Sequence, residues 1–430
     1  MRDNYNMKSE KFGKINDKTL VGGIDVAKDI HEVKWVNWRG EQIGKGLRFN
    51  NNRQDFEKLI RQAKQVQEKI GAEKIIMAME PTGVYGFALE EYLQQIGIDV
   101  LIVNGRDVKR TSEVLGNDSS KNDARDARII GHLVSLGCYS ESTRHKEGPY
   151  CELDILLRRR ASEKEDLIRF TNRLHKELAM LFPEYGVFKN TGLSMGVLTL
   201  FKEFGNLEAI IQAGEEGIYA CWRKHRTNGY GKSEAKQMHQ MAKNSIGIRQ
   251  TSQAVTYTMR AYIDDYLRSL KNLEAINQLI EQQLAEIPQA KRLMAIDGIG
   301  PIITAEILAG IGDIHNFTSP KQILKLAGLA PVTNESGKHK GKDKLSKMGR
   351  KRLKTAFYQV GICLIANNDA FKQIYHHYTQ ERANPLIKMK GVIVIANKFI
   401  RVIYAMLKNG TAYDEQRMLA DIQRDDQTAA

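Results

Sequence analysis

The stretch 334–354 combines one hydroxyl side chain with a dense run of positive charge. Ser336 has Glu335 before it and Gly337 after it, and residues 331–360 hold nine Lys or Arg against two acids, a net +7 that is half of the chain's +14. The glycines here favour a flexible loop over a helix. A basic loop with a hydroxyl fits a polyanion such as a phosphodiester backbone, and the alternative is a solvated basic segment with an incidental serine. The residues that we expect to contact nucleic acid are Lys338, Lys340, Lys342, Lys344, Lys347, Arg350 and Arg352.

Four acidic residues in the first third of the chain form a second candidate set. Asp25 and Glu80 each end an apolar run, and Asp123 and Asp126 are three residues apart, so that one face of a helix would present both. If the two apolar runs are neighbouring parallel strands, Asp25 and Glu80 lie side by side beyond the carboxyl ends, where sites form in open sheets. The helix could then bring Asp123 and Asp126 to the same place.

Four carboxylates so close together would repel one another unless cations separate them. Their hard oxygen atoms favour Mg²⁺ or Mn²⁺. A pair of such ions can align a phosphate and stabilise the attacking and leaving oxygens. The alternative for each acid is a plain helix cap, or an ion pair with Lys28, Arg125 or Arg128.

The elements that must position these acids follow from the hydrophobic periodicity. Strands are predicted at 19–26, 31–37, 42–49, 74–79 and 99–103, and helices at 51–70, 84–96 and 123–136. A meander of three strands followed by alternating helices and strands indicates a mixed sheet with helices on its faces. This α/β element order is that of an RNase H-like (RuvC-like) fold.

Two long helices are predicted in the middle of the chain, at 152–182 and in the stretch that ends at Pro288. The second has a heptad seam with Asn277 at a core position, where a polar residue fixes register or partner number. Self-association as a coiled coil and antiparallel pairing within the chain both fit this seam. Residues 184–247 carry no chemistry that the sequence identifies. The seam consists of Met259, Ile263, Tyr266, Leu270, Leu273, Asn277, Ile280, Leu284 and Ile287.

The stretch 293–317 places the turn Asp297-Gly298-Ile299-Gly300-Pro301 between two apolar helices. A Gly-x-Gly turn of this kind exposes backbone N–H groups at a helix N-terminus, which suits a phosphate. This is the helix-hairpin-helix pattern of sequence-independent DNA contact, with Gly298 and Gly300 as the expected contacts. The alternative is a plain tight turn. Apolar helices at 350–366 and 392–407 make the last part of the chain mostly α-helical.

Length and composition bound the remaining possibilities. A chain of 430 residues, 42% of them hydrophobic, suffices for two or three domains. The charge of +14 and a pI near 9.4 indicate nucleic acid as partner, or less strongly an anionic membrane surface. No apolar run is long enough to span a bilayer, and the polar N-terminus is not a signal peptide. Four scattered cysteines argue against a zinc site and a disulfide framework, and suit a reducing cytoplasm.

Five motifs together resemble a known family, the DEDD transposases of bacterial insertion sequences, which are relatives of the Piv-type DNA invertases. The motifs occur in the family's order and cover both ends of the chain, whereas the segment 184–247 is longer than such proteins usually carry. The motifs are GIDVAK around Asp25, MEPTGVYG around Glu80, KNDARDAR around Asp123 and Asp126, IDGIGPIITAEILAGIGD, and LAGLAPVTNESGKHKGKDKLSKMGRKRLK around Ser336.

The resemblance implies a RuvC-like N-terminal domain, a coiled-coil middle and a C-terminal transposase domain with a catalytic serine. Asp25, Glu80, Asp123 and Asp126 would be the DEDD metal ligands for Mg²⁺ or Mn²⁺, and Ser336 would be the nucleophile. The expected divisions are a disordered arm at 1–18, the DEDD domain at 19–137, the helical region at 151–288, the transposase domain at 289–410 and a polar tail at 411–430.

The chain is therefore interpreted as a recombinase that moves an insertion element through a covalent phosphoserine at Ser336. No sequence feature identifies the general base, and His339 is interpreted as a phosphate contact. The alternatives are a metal-dependent RuvC-like nuclease that uses water, and a non-catalytic helix-hairpin-helix scaffold. Expected partners are donor and target DNA and further copies of the chain, as a dimer or tetramer. No module that reads base sequence is apparent in the chain, and relatives in the family use a guide RNA. A guide (bridge) RNA is therefore also expected as a partner. The expected location is the bacterial cytoplasm, at the nucleoid, and no membrane is expected as a partner.

Overall fold

A computed structural model describes residues 14–81, 83–115, 123–141, 148–188, 193–332, 335–336, 339–340, 344–346 and 348–419. For Leu115, Asp123, Glu335, Ser336, His339, Lys340 and Lys344 it describes the backbone alone. The chain divides into two compact units, with the boundary between Arg144 and His145. The two units are described separately below.

The first unit is built around one sheet of six strands in the order β3-β2-β1-β4-β5-β6. Strands β4 and β5 run parallel to β1, whereas β2, β3 and β6 each pair antiparallel with their neighbours. The strands are β1 (Thr19–Asp25), β2 (Ile30–Val36), β3 (Leu47–Asn50), β4 (Lys74–Met79), β5 (Asp99–Ile102) and β6 (Ser140–Glu141). The helices are α1 (Arg53–Ile70), α2 (Phe87–Gln95), α3 (Gly105–Leu115) and α4 (Asp123–Ser135).

Alternation along the strands gives this sheet two apolar faces. Leu20 and Ile24 of β1 belong to a core under α1 and α2, whereas Val21 of β1 belongs to a second core under α4, with Val108 of α3. Because successive strand side chains point to opposite faces, Gly23 and Asp25 share the α4 face with Val21. The predicted mixed α/β sheet with helices on its faces is therefore confirmed.

Three local differences separate this unit from the expectation. The third strand is shorter than predicted, because Gly40 and Gly44 have positive φ angles and residue 42 makes only an isolated bridge to Val36. Helix α3 was not predicted, since its stretch had been assigned to no element. Ile15 is buried in the α4 core, so the ordered domain begins before residue 19, and residues 1–13 of the expected arm lie outside the described part.

The second unit is mostly helical. Its helices are α5 (Pro149–Leu181), α6 (Met195–Phe204), α7 (Leu207–Lys224), α8 (Lys232–Asn244), α9 (Gln253–Ala285), α10 (Pro288–Met294), α11 (Pro301–Ile311), α12 (Pro320–Leu326), α13 (Lys351–Asn367), α14 (Asp369–His376) and α15 (Lys388–Asn409). Short strands β7 (Pro331–Val332), β8 (Glu335–Ser336), β9 (His339–Lys340) and β10 (Lys344–Leu345) lie between α12 and α13. Gly214 breaks α7 with a non-helical backbone.

Helices α5 and α9 pair antiparallel within the chain, which is one of the two arrangements that the seam allowed. Leu157 of α5 shares a core with Ile280 of α9, and Leu178 at the other end of α5 shares a second core with Met259. The polar Asn277 of the seam accepts a hydrogen bond from Arg160 Nε at 2.7 Å. Its position in the seam is therefore satisfied within one chain, and self-association stays a prediction.

Each end of this helix pair is completed by other helices. The sequence indicated no role for residues 184–247. The described part of this stretch contains helices α6 to α8, which cover the end that contains Leu178 and Met259. Helices α10 to α15 cover the other end, and Met418 is buried in that same core. The C-terminal core therefore includes residues beyond 410, where a polar tail was expected.

Candidate active site

Strand register places Asp25 and Glu80 side by side. Strand β1 pairs parallel with β4, with Ile24 opposite Met79, so that the next residue of each strand is one of the two acids. Both acids lie at the carboxyl end of the sheet, and both are partly buried. Alternation puts both on the α4 face, because Ala78 of β4, like Val21 of β1, belongs to the core under α4. The expected neighbourhood of these two acids is therefore present in the structure.

Helix α4 lies directly against β1. A Cβ atom added to Gly23 would collide with the carbonyl oxygen of Ala127 and the backbone nitrogen of Gly131, so the two backbones touch because neither glycine carries a side chain. At the other end of the helix, Gly40 in the β2–β3 connection touches His132. This connection lies beside the amino end of β1, so α4 runs antiparallel to β1.

The antiparallel direction brings the N-terminal end of α4 to the carboxyl end of β1. Asp126 is next to Ala127, whose carbonyl lies over Gly23, and Asp123 is the first residue of the helix. We call Asp25, Glu80 and this helix end with Asp123 and Asp126 the acidic edge. Among the residues whose side chains are described, no three His, Cys, Asp or Glu side chains are close enough to hold a metal ion. The side chain of Asp123 lies outside that comparison.

The N-terminal end of helix α3 is a further element at the acidic edge. A Cβ atom on Gly105 would collide with the carboxylate of Glu80, so the Glu80 side chain lies against the first residue of α3. Asn104 caps this end, since its Oδ1 accepts the Arg106 N–H at 2.9 Å. The positive end of a helix dipole stabilises a nearby carboxylate. The missed helix therefore fixes the position of one of the predicted site residues.

Glu32 is an acid at this edge that the sequence interpretation did not include. It lies directly opposite Asp25 in the β1–β2 pair and shares the same sheet face. It is 8% exposed, and Lys34 Nζ lies 3.1 Å from its Oε1. The signal was available, because residues at equal distances from the middle of a β-hairpin connection pair with one another, and Asp25 and Glu32 are equally far from the Lys28–Asp29 bond.

On the opposite face, His31 supports the connection that follows Asp25. Its Nδ1 accepts the backbone N–H of Ala27 at 3.3 Å, and its ring packs edge-on against Phe49. Burial lowers the pKa of His31, so the neutral imidazole is the favoured form. The histidine is a core residue that holds the β1–β2 connection in place.

The stretch around Ser336 forms two successive strand pairs where a flexible loop had been predicted. Strand β7 pairs with β10 and, further out, β8 pairs with β9, both antiparallel. We call residues 331–345 the serine arm. Its outer pair places Ser336 opposite His339, with two residues between them. The described backbone of Ser336 therefore lies beside that of His339.

The base of the serine arm is held by backbone contacts. Gly328 before the arm and Gly349 after it touch one another, since a Cβ atom on Gly349 would collide with the backbone nitrogen of Gly328. Gly349 also has a φ angle of 133°, which favours glycine. Arg350 N donates to the carbonyl of Leu326 at 2.8 Å. The arm thus begins and ends at one fixed point between α12 and α13.

Two of the predicted nucleic-acid contacts, Arg350 and Arg352, have partners within the second unit. Arg350 Nη1 donates to the carbonyl of Gly310 at 2.7 Å, and burial lowers the pKa of this guanidinium. Arg352 contacts Glu306 Oε2 at 2.8 Å and Asp154 Oδ1 at 3.1 Å. These contacts attach α13 to α11 and α5, so both side chains have a structural task. Of the five lysines, Lys338, Lys342 and Lys347 lie outside the described residues, and Lys340 and Lys344 lie in β9 and β10.

The turn that contains Gly298 and Gly300 joins helices α10 and α11. Gly298 has a φ angle of 90°, and a Cβ atom on it would lie 2.9 Å from the carbonyl oxygen of Cys363 in α13. Gly300 caps α11 with open space around it, and Pro301 follows at the first helical position. The space beside Gly298 is therefore filled by α13, whereas Gly300 is accessible. Phosphate binding by this turn stays a prediction.

Comparison with known families identifies what both units have in common with other proteins. Residues 22–183 match a DEDD transposase model of the IS110 type, and residues 290–376 match a model described as the transposase IS116/IS110/IS902 family. The chain belongs to the IS110/IS116 family of transposases. The acidic edge lies within the first match, and the serine arm lies within the second, which confirms the family resemblance read from the motifs.

Two relatives of this transposase match most of its length, and a third matches less than half. The uncharacterized 44.8 kDa protein of insertion element IS116 from Streptomyces clavuligerus is 23% identical over 90% of this chain and 94% of its own. The transposase for insertion sequence element IS1111A of Coxiella burnetii is 21% identical over 91% of this chain and 90% of its own. The pilin gene-inverting protein of Moraxella bovis is 27% identical over 42% of this chain and 58% of its own.

Membership of this family makes the protein a DNA-recombining enzyme of an insertion sequence. Across the described residues, no helix combines the length and apolar character needed to cross a membrane. The sequence thus predicted the family, and it predicted that Asp25 and Glu80 lie together at the edge of the sheet. Helix α3 and Glu32 were not predicted as parts of this edge.

Proposed function

We propose that this transposase cuts and rejoins DNA with Ser336 as nucleophile, assisted by divalent metal at the acidic edge. The observation that carries the proposal is the convergence of Asp25, Glu80 and the N-terminal end of α4 at one edge of the sheet. The strand order and the antiparallel α4 support an RNase H-like (RuvC-like) domain. The hairpin that carries Ser336 and the basic residues around it support a role in phosphoryl transfer.

In this reaction the Ser336 hydroxyl attacks a DNA phosphorus atom and the bond to one bridging oxygen breaks. The serine proton passes to a base, and the departing DNA oxygen takes up a proton. The product is a phosphoserine ester, which a DNA hydroxyl attacks in the second step, so the phosphodiester is re-formed without ATP. Both units must reach the same phosphate, either within one chain or between two subunits.

The donor atoms of the acidic edge fit a hard divalent cation. Asp25, Glu80, Asp123 and Asp126 would hold Mg²⁺ or Mn²⁺, since carboxylate oxygens are the preferred ligands of these ions. The described carboxylates are not gathered into a closed ligand set, so the fit is one of chemistry and backbone placement. When bound, the metal would orient the phosphate and neutralise its developing charge.

His339 is the residue that we propose to accept the Ser336 proton. The β8–β9 register places the backbones of these two residues opposite one another. This replaces the interpretation of His339 as a plain phosphate contact. His339→Gln should reduce formation of the phosphoserine ester at least tenfold, whereas Lys340→Gln in the same hairpin should weaken DNA binding and leave the rate at saturating DNA unchanged.

A denaturing gel tests the central step. Wild-type protein incubated with labelled DNA from the element's own end and Mg²⁺ should yield a labelled, covalently attached protein. Ser336→Ala should yield none, and Ser336→Cys only a trace. Recombination by Ser336→Ala at the wild-type rate would overturn the covalent mechanism, and Mg²⁺-dependent cutting by this variant would favour water as the nucleophile.

Target choice is proposed to come from a guide (bridge) RNA. The contacts proposed here, the lysines of the serine arm and the Gly300 turn, would bind phosphates, which orient DNA without reading its sequence. Pairing by a bound RNA would supply the sequence information. The protein is purified with the full element, and its RNA is extracted and sequenced. If no discrete RNA copurifies and RNase-treated protein still recombines its own sites, the guide is excluded.

A homo-oligomer, as a dimer or tetramer, is proposed because one reaction handles donor and target DNA at once. The exposed apolar side chain of Leu270 in the seam of α9 supports this. Sedimentation should show more than one copy at micromolar concentration with nucleic acid. A monomer under these conditions would count against it.

A further inference from the structure

A row of charged residues crosses four strands at the acidic edge. Register places Asp25 opposite Glu32, and Glu32 opposite Arg48 of β3. Glu80 continues the row on the other side of Asp25, beyond the end of β4. Alternation puts Arg48 on the α4 face, because Phe49 beside it belongs to the opposite core. The row therefore runs from two partly buried acids to a cation at the outer strand.

Glu32 and Arg48, at the outer end of the row, form an ion-paired cluster with Lys34. Lys34 Nζ lies 3.1 Å from Glu32 Oε1, and these two side chains are 19% and 10% exposed. Arg48 Nε lies 3.8 Å from Glu32 Oε2, and the Arg48 side chain is 66% exposed. A close and largely buried pair of Lys34 with Glu32 is electrically neutral. The looser and more exposed Arg48 therefore adds net positive charge to the cluster.

Local packing keeps the lysine in this arrangement. A Cβ atom on Gly46 would lie 2.6 Å from Cδ of Lys34 and would collide with the carbonyl of Val33. The chain thus has a glycine where the lysine side chain passes along the sheet toward Glu32. With Glu32 already neutralised by this lysine, the guanidinium of Arg48 can form hydrogen bonds to another anion.

We propose that Arg48 binds a DNA phosphate next to the one that reacts at the acidic edge. This rests on the proposed function in one respect, namely that the reacting phosphate lies at Asp25 and Glu80. Neighbouring strands are about 4.8 Å apart, so the backbone of Arg48 is about 10 Å from that of Asp25. One strand of duplex DNA has a phosphate about every 3.4 Å of helix axis. A strand that passes the acids therefore has further phosphates within reach of Arg48.

The chemistry of the ligand follows from the surroundings. A fork of guanidinium N–H groups matches a phosphate, which it can hold with two hydrogen bonds. A cation beside a group of carboxylates also offsets the repulsion that they exert on an approaching phosphodiester. Arg48 is thus a binding residue for the DNA backbone, and its role carries no information on base sequence.

The experiment measures DNA affinity of the full chain in the Ser336→Ala background, with Mg²⁺, across a series of KCl concentrations. The probe is a labelled duplex from the element's own end. Arg48→Gln should raise the dissociation constant about threefold to tenfold, and lower the slope of log affinity against log salt by about 0.9, the value of one phosphate contact. Arg48→Lys should retain the slope and lose part of the affinity.

The matched control is Arg53→Gln, which removes the same charge from α1 on the other face of the sheet. Arg53 is 86% exposed and pairs with Glu57 at 3.4 Å. Equal salt slopes for Arg48→Gln, Arg53→Gln and the parent would overturn the proposal. The series is repeated with a labelled RNA duplex, and an effect of Arg48→Gln on that probe alone would overturn it as well. Thermal unfolding of Arg48→Gln should stay within a few degrees of the parent. The salt slope is independent of the covalent test at Ser336, so either proposal can fail without the other.

Discussion

The acidic edge and the serine arm are positioned by different kinds of contact. At the acidic edge, parallel register aligns Asp25 with Glu80, and a glycine contact fixes α4 across the same strand. In the serine arm, two pairs of two-residue strands extend from a base that is held by Gly328 and Gly349. The first region is supported by two apolar cores, and the second by backbone contacts at its base.

This difference has a consequence for catalysis. A site built on central strands keeps its donor atoms in place, which suits groups that must hold a metal in one geometry. The serine arm carries Ser336 on short strand pairs that extend from a held base, which suits a residue that must reach the DNA. The division of labour that we propose therefore assigns metal binding to the sheet edge and nucleophilic attack to the hairpin.

Replacement of the acids is expected to have the largest effect on the first region. Asp25→Asn, Glu80→Gln and Asp126→Asn should each reduce recombination about 100-fold or more, because each removes a charged ligand. The unfolding temperature should change little, because opposed carboxylates repel one another in the absence of a cation and so do not stabilise the fold. The direct readout is Mn²⁺ binding, measured by electron paramagnetic resonance. The affinity for Mn²⁺ should fall in each variant. Wild-type activity of Asp126→Asn would remove that residue from the site.

Two glycine variants separate the framework of the acidic edge from its chemistry. Gly23→Ala forces a Cβ atom into the backbone of α4, and overpacking of this kind costs about 1–3 kcal/mol, so both the unfolding temperature and activity should fall. Gly105→Ala meets the end of the flexible Glu80 side chain, so activity should fall while the unfolding temperature holds. Gly186→Ala is the control, because a Cβ atom added there would have no heavy atom within 4 Å apart from those of its chain neighbours. Equal loss of stability in all three would show that the close β1–α4 contact has no special role.

The acidic edge was largely predictable, and the reason lies in its construction. Apolar runs define strands β1 and β4, and a strand's last residue follows from where the run ends, so Asp25 and Glu80 could be assigned from sequence. Glu32 lies inside β2 and not at the end of an apolar run, so the position of strand ends did not identify it. Helix α3 was missed because its apolar residues are few, with Val108 as its buried contact.

The neighbours of Ser336 could not be predicted in the same way. The glycines and lysines of the serine arm give no apolar alternation from which to read a register, so the stretch was interpreted as a loop. The pairing with His339 depends on the strand register, which a glycine-rich stretch specifies only weakly. Likewise, the heptad seam of α9 could not decide between a partner helix in the same chain and one in another. Arg160, which pairs with Asn277, is 117 residues away in sequence.

The smallest predicted effect concerns Asp55, which supports the strand that carries Arg48. Its Oδ2 accepts the backbone N–H of Asn50 at 2.8 Å, and Lys58 Nζ lies 2.5 Å from its Oδ1. These contacts, with Lys58 as the largest cause, lower the pKa of Asp55 from 3.8 to about 2. A carboxyl with a lowered folded pKa contributes stability above its unfolded pKa, and that contribution is lost as the pH falls through the folded value.

Asp55→Asn should therefore lower the unfolding temperature at neutral pH by a small amount, and the difference from wild type should shrink between pH 4 and pH 2. Glu57→Gln on the same helix is the matched control, because that carboxylate lies 3.4 Å from the exposed Arg53 and makes none of the contacts to β3 described for Asp55. The base of the serine arm is held by backbone hydrogen bonds such as Arg350 N to the Leu326 carbonyl, which do not titrate. Amide exchange at neutral pH should accordingly rise in β3 of Asp55→Asn and stay unchanged at residues 344–350. Faster exchange in both places would mean that Asp55 supports the whole chain, and the contrast between the two regions would then be wrong at this position.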